Sequence, residues 1–442
     1  MARVTVSATP PSEIKPALTA QDSQGLFSGG MAGFALALLF LTSLLNWYDR
    51  SLFAILLEPI KHDLSLSDGQ IGLLSGLAFN LLSILAVVPI ARIGDRGSHA
   101  WVLSISLAVW SALTILCGTA GGFLSLFLFR MGVGLGEAGG TPATHALISG
   151  RFNPDFRTRA LSIVGVGSSL GILLGTVLGG ITADALNWRW AFWLAGAPGL
   201  ALAVMLLFVF RQPRPASQAP GERAVGVKAA VGALLARPAY RLVLIGMAVA
   251  FIGYYAAQMW LPTFLIRTFG ITVAKAGVLH AGFYVLPSII GTIAGGILAD
   301  WWGRRDRRAA VWVLLLGFGA SAPFLLCVYT AATLPLALVG EVGAGFLGGL
   351  VIGPLYGLVQ SLAGRKMRAT AASLLIVVGG LVGGTLGPMI VGFVSDWLQP
   401  SQGANAIRIA LSATALTNVV AAFVFYLASR TVVVDLDRAA AE

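Results

Sequence analysis

Long apolar runs recur along almost the whole chain and are separated by short polar loops. Each run has about 20 residues, the length that a helix needs to cross the hydrocarbon core of a bilayer. The twelve runs begin near Phe34, Ile71, Trp101, Phe123, Ala160, Ala191, Leu242, Ala276, Ala310, Leu334, Ala369 and Ile407. The pattern therefore predicts an all-α polytopic membrane protein with twelve transmembrane helices.

The longest polar interruption lies between the sixth and seventh runs and is rich in proline, alanine and charge, which is typical of a linker. We predict two six-helix bundles, at 31–211 and 240–430, joined by a cytoplasmic linker at 212–239. Residues 1–30 are polar and lack the short apolar core of a signal peptide. We therefore predict a disordered cytoplasmic tail there, and a second cytoplasmic tail at 431–442.

The two predicted bundles repeat each other at a constant offset. Four matched pairs lie 212 residues apart (396 − 184 for the aspartates): Pro142 and Pro354, Gly175 and Gly387, Gly180 and Gly392, Asp184 and Asp396. Parallel repeats of six spans place a binding site at their interface, near the middle of the membrane. The repeat thus predicts two pseudo-symmetric halves around a central cavity.

Composition and charge support a membrane protein. Hydrophobic residues make up 57% of the chain and charged residues 11%, against about a quarter charged in soluble proteins. The net charge of +11 follows the positive-inside pattern, because loops on the side of the termini carry 18 Lys and Arg and the opposite loops carry 5. This asymmetry predicts a protein of the cell's inner membrane with both termini cytoplasmic, and it disfavours nucleic-acid binding.

The chemistry-bearing residues do not suggest an enzyme. The two cysteines and four histidines are scattered, so no metal site is expected, and no phosphate loop or nucleophile with a nearby base is visible. We expect no cofactor and no ATPase activity. The protein is expected to act as a monomer whose partners are a small-molecule or lipid-like substrate, protons and membrane lipids.

Charged residues inside two of the apolar runs are the strongest functional signal. The first run contains Asp49 and Arg50 in "NWYDRS", and the fourth contains Arg130 and Glu137, which are about two helical turns apart. Each ionisable group costs at least about 2.5 kcal/mol at the centre of a membrane helix, so these groups should face the interior and pair.

The four charges sum to zero, and protonation of one carboxylate would leave the cavity net positive. We therefore predict that Asp49, Arg50, Arg130 and Glu137 line the substrate cavity and couple transport to protons. The alternative is a static ion network that only pins the first helix to the fourth.

The loop after the eighth run, "GGILADWWGRRDRR", resembles the signature loop of the major facilitator superfamily. We predict that this loop and its degraded first copy, "ARIGDRGSHA", form a cytoplasmic gate clasp. The clasp residues are Asp95, Arg96, Gly296, Asp300, Gly303, Arg304 and Arg305. The glycine would allow close helix approach, and the aspartate would face an arginine or a helix N-terminus. The alternative is a solvated basic loop that only sets topology.

The fifth run carries a glycine every four residues, at Gly167, Gly171, Gly175 and Gly179. Small residues at this spacing permit close helix contact. We interpret the stripe, and its copy in the eleventh run, as plain structural packing; an indirect functional role, as a close joint on which the halves rock, is the alternative.

Four segments together resemble the spinster-like branch of the superfamily: "NWYDR", "RMGVGLGEAGGTPATHALIS", "NWRWAFWLAGAPGLALA" and "LADWWGRRDRR". The resemblance implies a twelve-helix transporter that alternates between inward- and outward-open states, and lipid-like cargo such as sphingolipids and lysophospholipids in eukaryotic members. It also places the family's proton-coupling acidic pair on Asp49 and Glu137, and the family's arginines on Arg50 and Arg130. The predicted function is thus a proton-coupled secondary transporter of an amphipathic or anionic solute.

Two alternatives to this function stay open. The organic anion:cation symporters share the Asn-x-x-Asp-Arg element and a glutamate in the fourth span, which would imply small carboxylates or sugar acids as cargo. A passive facilitator of the same fold is the other.

Softer candidates for the cavity wall lie mostly in the second half, where aromatic and amide side chains suit an amphipathic ligand. These candidates are Asn46, Tyr254, Gln258, His280, Tyr284, Tyr356 and Gln360. We also expect Glu341 in the tenth run to pair across the halves in one state.

Overall fold

The structure is a computed structural model that describes residues 27, 29–210, 227–364 and 367–441. Among these residues the only regular secondary structure is helical. The first half has six spanning segments: α1 (Gly29–Ile55), α2 (Asp68–Leu73, a π-helical turn at Leu74–Ala78, then Phe79–Arg96), α3 (His99–Cys117), α4 (Phe123–Glu137 and Gly140–Arg151), α5 (Pro154–Ala185) and α6 (Trp188–Val209). A short helix, Leu57–Asp63, continues α1.

The second half repeats this order. Its segments are α7 (Pro238–Phe269), α8 (Val273–His280, a π-helical turn at Ala281–Val285, then Leu286–Gly303), α9 (Ala309–Thr330), α10 (Leu334–Leu350 and Ile352–Ala363), α11 (Arg368–Val378, a π-helical turn at Gly379–Leu386, then Gly387–Gln402) and α12 (Ala406–Ser429). The predicted all-α fold of twelve spans in two halves is confirmed.

Ten helical stretches in the described part of the chain are long and apolar enough to cross a membrane. This count differs from twelve for two structural reasons. The α4 segment is broken after Glu137 into two pieces that are each too short, and one stretch of 60 residues, Thr370–Ser429, contains both α11 and α12. Large apolar side chains on the outside, such as Phe208 and Trp397, suit contact with lipid.

Two further helices lie outside the twelve spans. Val227–Leu235 falls within the segment predicted as a linker, and Val432–Ala441 falls within the predicted C-terminal tail. The buried carboxylate of Asp435 accepts a 2.7 Å hydrogen bond from the Ala239 N–H at the start of α7. The predicted disorder at 1–26 and the first part of the linker, 211–226, lie outside the described residues.

The glycine stripe of α5 packs inside the first half and not at a joint between the halves. A Cβ built on Gly171 would clash with the carbonyl oxygen of Leu44, and one on Gly175 would lie 2.5 Å from that of Tyr48. Both partners belong to α1, so the stripe brings α1 against α5 within one bundle. The interpretation of the stripe as structural packing is therefore confirmed at Gly171 and Gly175.

The halves meet instead along α2 with α11 and along α5 with α8. We call the end of the bundle that holds Gly29 and Ala441 the terminal face, and the opposite end the distal face. A Cβ on Gly277 of α8 would lie 2.5 Å from the Thr176 carbonyl oxygen of α5, and one on Gly76 of α2 would clash with that of Thr385 in α11. Both contacts lie in the distal part of the bundle, so the halves are closed at the distal face.

Candidate functional site

The centre of the first half contains two interlocked ion pairs. Asp49 of α1 lies 3.0 Å from the Arg130 guanidinium of α4, and it also accepts a 2.9 Å hydrogen bond from the Thr114 hydroxyl of α3. Both members of the pair are almost fully buried. The pair is therefore shielded from water and joins three helices at one point.

The second pair, Arg50 and Glu137, also connects α1 with α4. The Nε and Nη2 atoms of Arg50 lie 2.9 and 2.8 Å from Oε2 of Glu137. The Glu137 side chain is inaccessible, whereas the Arg50 side chain is 30% exposed. Arg50 is thus the one member of the four that a solute in the cavity can reach.

Aromatic rings contact both guanidinium groups. The centroid of the Phe79 ring lies 4.7 Å from Arg50 and 5.0 Å from Arg130. Arg130 also stacks over Phe53 at 4.2 Å, and Arg50 lies 5.1 Å from Trp47. Cation–π contacts of this kind stabilise buried guanidinium groups without neutralising them.

Irregular helix geometry positions these groups. Phe79 follows directly on the π-helical turn Leu74–Ala78, and Glu137 is the last residue of the first piece of α4, which resumes at Gly140. π-Helical turns are frequent at functional sites because they change the direction in which the following side chains point. The break in α4 likewise leaves Glu137 at a helix end rather than within a continuous ladder.

The network contains unsatisfied polar atoms. Among the described residues, no hydrogen-bond partner reaches Oε1 of Glu137 or Nε of Arg130, although both atoms are buried. A buried polar atom without a partner is costly, so such a network is sensitive to the arrival of a proton or a solute.

The predicted cavity residues divide into three groups. Tyr254 lies close enough to Tyr284, Tyr255 and Tyr356 to interact electrostatically with each of them, which makes a tyrosine cluster contributed by α7, α8 and α10. Asn46, Tyr254 and Gln258 are half-buried, while Tyr356 and Gln360 are exposed. His280 is buried, 3.4 Å from Glu341 of α10. Glu341, which we expected to pair across the halves, pairs here within its own half.

Three contributors to the site were not predicted from the sequence: Thr114, Phe79 and Tyr255. Tyr255 of α7 interacts electrostatically with Arg50 of α1, so the tyrosine cluster and the ion network face each other across the halves. A hydroxyl in an otherwise apolar run was the available signal for Thr114. Among the described residues, no group of three or more His, Cys, Asp or Glu side chains is placed to hold a metal ion.

The residues predicted as a clasp lie at the terminal face and are largely exposed. Asp95 lies 3.7 Å from His99, and the Arg96 side chain is outside the described part. Asp300 and Gly303 border a cavity of about 710 Å³ within the second half. Arg304 and Arg305 are exposed, and Arg305 stacks on Trp301.

The glycine predicted to bring helices together in this clasp, Gly296, lies 3.7 Å from a Cβ built on Gly353 of α10, but the space for a side chain of its own is open. No described atom lies within 4 Å of a Cβ built on Gly296, whereas one on Gly295 would clash with the carbonyl oxygen of Leu350 in α10. The close approach of α8 to α10 therefore depends on the preceding residue.

The distal face carries a charged network that was not predicted. Arg267 at the end of α7 donates at 2.6 Å to Glu58 and at 2.8 and 2.9 Å to Asp68, and Lys61 lies 2.5 Å from Asp68. These ion pairs join the two halves, and Asp68 is fully buried within them.

The repeated aspartates complete this closure. Asp396 at the end of α11 accepts hydrogen bonds of 2.9 and 2.7 Å from the N–H groups of Asp68 and Gly69 at the start of α2. Its repeat mate, Asp184 of α5, accepts a 2.8 Å bond from the Ala274 N–H at the start of α8. Each carboxylate thus caps a helix of the opposite half, where the helix dipole attracts negative charge.

Comparisons with known proteins place these features in a family. The family model described as Major Facilitator Superfamily matches residues 39–388. The chain is 33% identical over 403 residues to an MFS-type efflux pump of Mycolicibacterium smegmatis, covering 89% of this chain and 92% of the relative. It is 30% identical over 421 residues to Protein spinster homolog 1 of Mus musculus, covering 87% and 78%. A hexuronate transporter of Bacillus subtilis is 25% identical, covering 83% and 88%.

A solved structure gives the same relationship. The fold is similar to the crystal structure of a bacterial homolog of the human lysosomal transporter Spinster in an inward-facing and unoccupied conformation, with a TM-score of 0.85 and 27% identity. The match covers 92% of this chain and 99% of that one.

Proposed function

Because the chain belongs to the major facilitator superfamily and to its spinster-like branch, we propose that it is a proton-coupled secondary transporter that moves an amphipathic or organic-anion solute by alternating access. Transport itself follows from the family. The coupling ion and the class of cargo are the proposed parts, and each is supported by the geometry of the central site.

One observation carries the proposal: the Glu137 carboxylate pairs with Arg50, which is the accessible member of the four charged residues in the ion network. This carboxylate occupies two nitrogens of Arg50, which is 30% exposed, while its second oxygen is buried without a partner among the described residues. A proton on Glu137 would weaken this pair and free Arg50 for an anionic group. A proton and an anion would therefore favour each other's binding.

The surroundings of Arg50 favour a cargo with both polar and apolar parts. Trp47 and Phe79 flank the guanidinium on its own half, and Tyr255 faces it from the other half. Aromatic walls with one accessible positive charge suit a negatively charged head group attached to an apolar body. Lysophospholipids and phosphorylated sphingoid lipids have this chemistry.

The orientation of the protein is proposed on the distribution of charge. The first described helix begins and the last one ends at the terminal face, at Gly29 and Ala441, and the basic loops lie on the same side. We propose that this face is cytoplasmic and that the protein resides in the inner membrane. Closure at the distal face then corresponds to an inward-facing state. Labelling of single cysteines in each loop of intact cells would test this.

The central test uses the variant Glu137→Gln in liposomes, because glutamine mimics the protonated glutamate. We expect binding of an anionic lysolipid to become independent of pH and to tighten by about tenfold at neutral pH, since a charge-assisted bond of Arg50 is lost. Proton flux coupled to cargo should disappear while the folded protein remains. If the variant still bound and transported the cargo with the pH dependence of the wild type, the proposal would be contradicted.

A matched control is Asp63→Asn. This carboxylate also pairs with an arginine, Arg189, at 2.5 Å. The pair lies at the distal end of the first half, away from the central ion network of Asp49, Arg50, Arg130 and Glu137. The substitution should leave both binding and proton flux unchanged.

A second candidate cargo is a small carboxylate or sugar acid, which the similarity to a hexuronate transporter favours. A panel of lysophospholipids, sphingoid lipids, sugar acids and cationic drugs, read by thermal stabilisation of the purified protein, separates the classes. Any hit should then be tested for uptake driven by a pH gradient. Cargo movement without proton movement would instead identify a passive facilitator of the same fold.

A further inference from the structure

A second buried acid–base pair lies in the second half, away from the ion network. Nδ1 of His280 in α8 lies 3.4 Å from Oε1 of Glu341 in α10. Glu341 is completely buried and His280 is 4% exposed. No arginine or lysine contact with Glu341 is present among the described residues, which distinguishes this pair from the two in the first half.

The pair is incompletely satisfied. Within the described part of the chain, no hydrogen-bond partner reaches Oε2 of Glu341 or the hydroxyl of Tyr329, and both atoms are buried. Tyr329 interacts electrostatically with Glu341. The His280 ring stacks on Tyr284 with centroids 4.9 Å apart and an interplanar angle of 13°. These groups form a buried polar cluster that a solute cannot enter but that can bind a proton.

We propose that His280 and Glu341 form a second proton-binding site, located in the second half of the transporter. Without a proton the buried pair carries a charge of −1, with one proton it is neutral, and with two it carries +1. Burial favours the neutral state, because an uncompensated charge in the interior is costly. The state in which His280 and Glu341 share one proton is therefore the one that this buried position favours.

Few other titratable groups lie around the pair in the described part of the chain. On α8 and α9 they are Tyr284 and Tyr329, and on α7 Tyr254 interacts with Tyr284. Asp184 of α5 contacts α8 at Ala274, six residues before His280 (280 − 274), and there it caps the backbone. From α1, Ile55 approaches this stretch of α8 at Gly277. Glu341 is thus the carboxylate that controls the charge of this pocket.

The location of the pair connects it to the joint between the halves. His280 is the last residue before the π-helical turn Ala281–Val285, and Gly277, one turn earlier, packs on the Thr176 carbonyl of α5. A change of charge at the pair would alter the contact of α8 with α10 beside this joint. Its use in transport rests on the proton coupling proposed above, whereas the binding of the proton does not.

Thermal stability of the purified protein as a function of pH tests the binding. All variants are made in a Glu137→Gln background, so that the carboxylate of the first half does not contribute. In that background we expect the midpoint of unfolding to fall by about 2–4 °C between pH 6 and pH 9, as the pair loses its proton. Adding Glu341→Gln should abolish this loss, because no buried charge then appears.

The variant His280→Gln has a different expected effect and guards against simple misfolding. The unfolded chain then lacks the His280 proton, which it otherwise keeps up to about pH 6.5, while folded Glu341 must hold its own proton or be a buried charge. The loss of stability should therefore begin at a lower pH than in the background. Combining both substitutions should restore the flat profile of Glu341→Gln. If all profiles coincide with that of the Glu137→Gln background, the proposal is overturned. That outcome would leave proton-coupled transport through Glu137 untouched, because the measurement contains no transport step.

Discussion

The two faces of the bundle differ in how they use charge. At the distal face, Arg267 bridges the halves through buried Asp68, and Asp184 and Asp396 each cap a helix of the opposite half. At the terminal face, Asp300 is exposed at the edge of a cavity within one half. Between α2 and α11, Ile84 lies beside Gly380, about midway along α2.

This contrast indicates which charges determine the observed state. Ion pairs between exposed side chains contribute at most about 1 kcal/mol, whereas removal of one partner of a buried pair costs about 3–5 kcal/mol. The distally closed state therefore depends on the buried distal network. The exposed terminal residues have a role only if they become buried in another state.

The largest expected effect comes from Arg267→Ala. In the closed state this change leaves the buried Glu58 without its arginine partner, and Asp68 keeps Lys61 and the Ser395 hydroxyl. In a distally open state we expect both carboxylates to be hydrated. We expect the closed state to lose about 3 kcal/mol, which lowers its population relative to the open state roughly hundredfold. Distances between spin labels across the distal face, measured by pulsed electron resonance, would report the shift.

Arg408→Ala is the matched control for this experiment. Arg408 lies at the same face, but it donates a 2.9 Å hydrogen bond to the Ala331 carbonyl within its own half. Its loss should leave the label distances as they are. A wild-type distance distribution in Arg267→Ala would show that helix packing alone holds the face closed.

The sequence predicted the fold more fully than it predicted the site. Every observed span begins within about six residues of its predicted start, because a bilayer imposes a minimum apolar length that is visible in one dimension. The four central charges were predicted to share a cavity for a similar reason: buried charges must find partners.

The partners themselves depend on how each helix is rotated and where it breaks, which no local pattern encodes. The sequence did not indicate that Arg130 would choose Asp49, or that α4 would be interrupted after Glu137. The 212-residue repeat marked Asp184 and Asp396 as equivalent (396 − 184) without indicating that both are helix caps. The distal network was missed because its members lie at helix ends, where charges are ordinary.

A smaller effect is expected from removing the helix-capping carboxylates of Asp396 and Asp184. The sizes of the two effects rank the contribution of each cap to distal closure. Asp396 accepts two backbone hydrogen bonds and Asp184 accepts one. We expect Asp396→Ala to destabilise the distally closed state by about 1.5 kcal/mol and Asp184→Ala by about 1 kcal/mol. The same label distances should show the two shifts in that order. Equal or reversed shifts would mean that the number of backbone hydrogen bonds does not determine how much each cap stabilises the closed distal face.

The smallest expected effect, and the only one of opposite sign, comes from Asp300→Asn at the terminal face. In the observed state Asp300 is exposed, so the change should alter thermal stability by less than about 0.5 kcal/mol. If Asp300 meets a helix N-terminus or an arginine when the terminal face closes, its loss weakens only that other state, by about 0.5 kcal/mol. The population should then move further toward distal closure, whereas Arg267→Ala moves it away.

Combining Asp300→Asn with Arg267→Ala should give a shift equal to the sum of the two single shifts, because the residues lie at opposite ends of the bundle and share no partner. A shift of Asp300→Asn toward the open distal face would show that the residue stabilises the observed state, and that the contrast between the two faces is wrong.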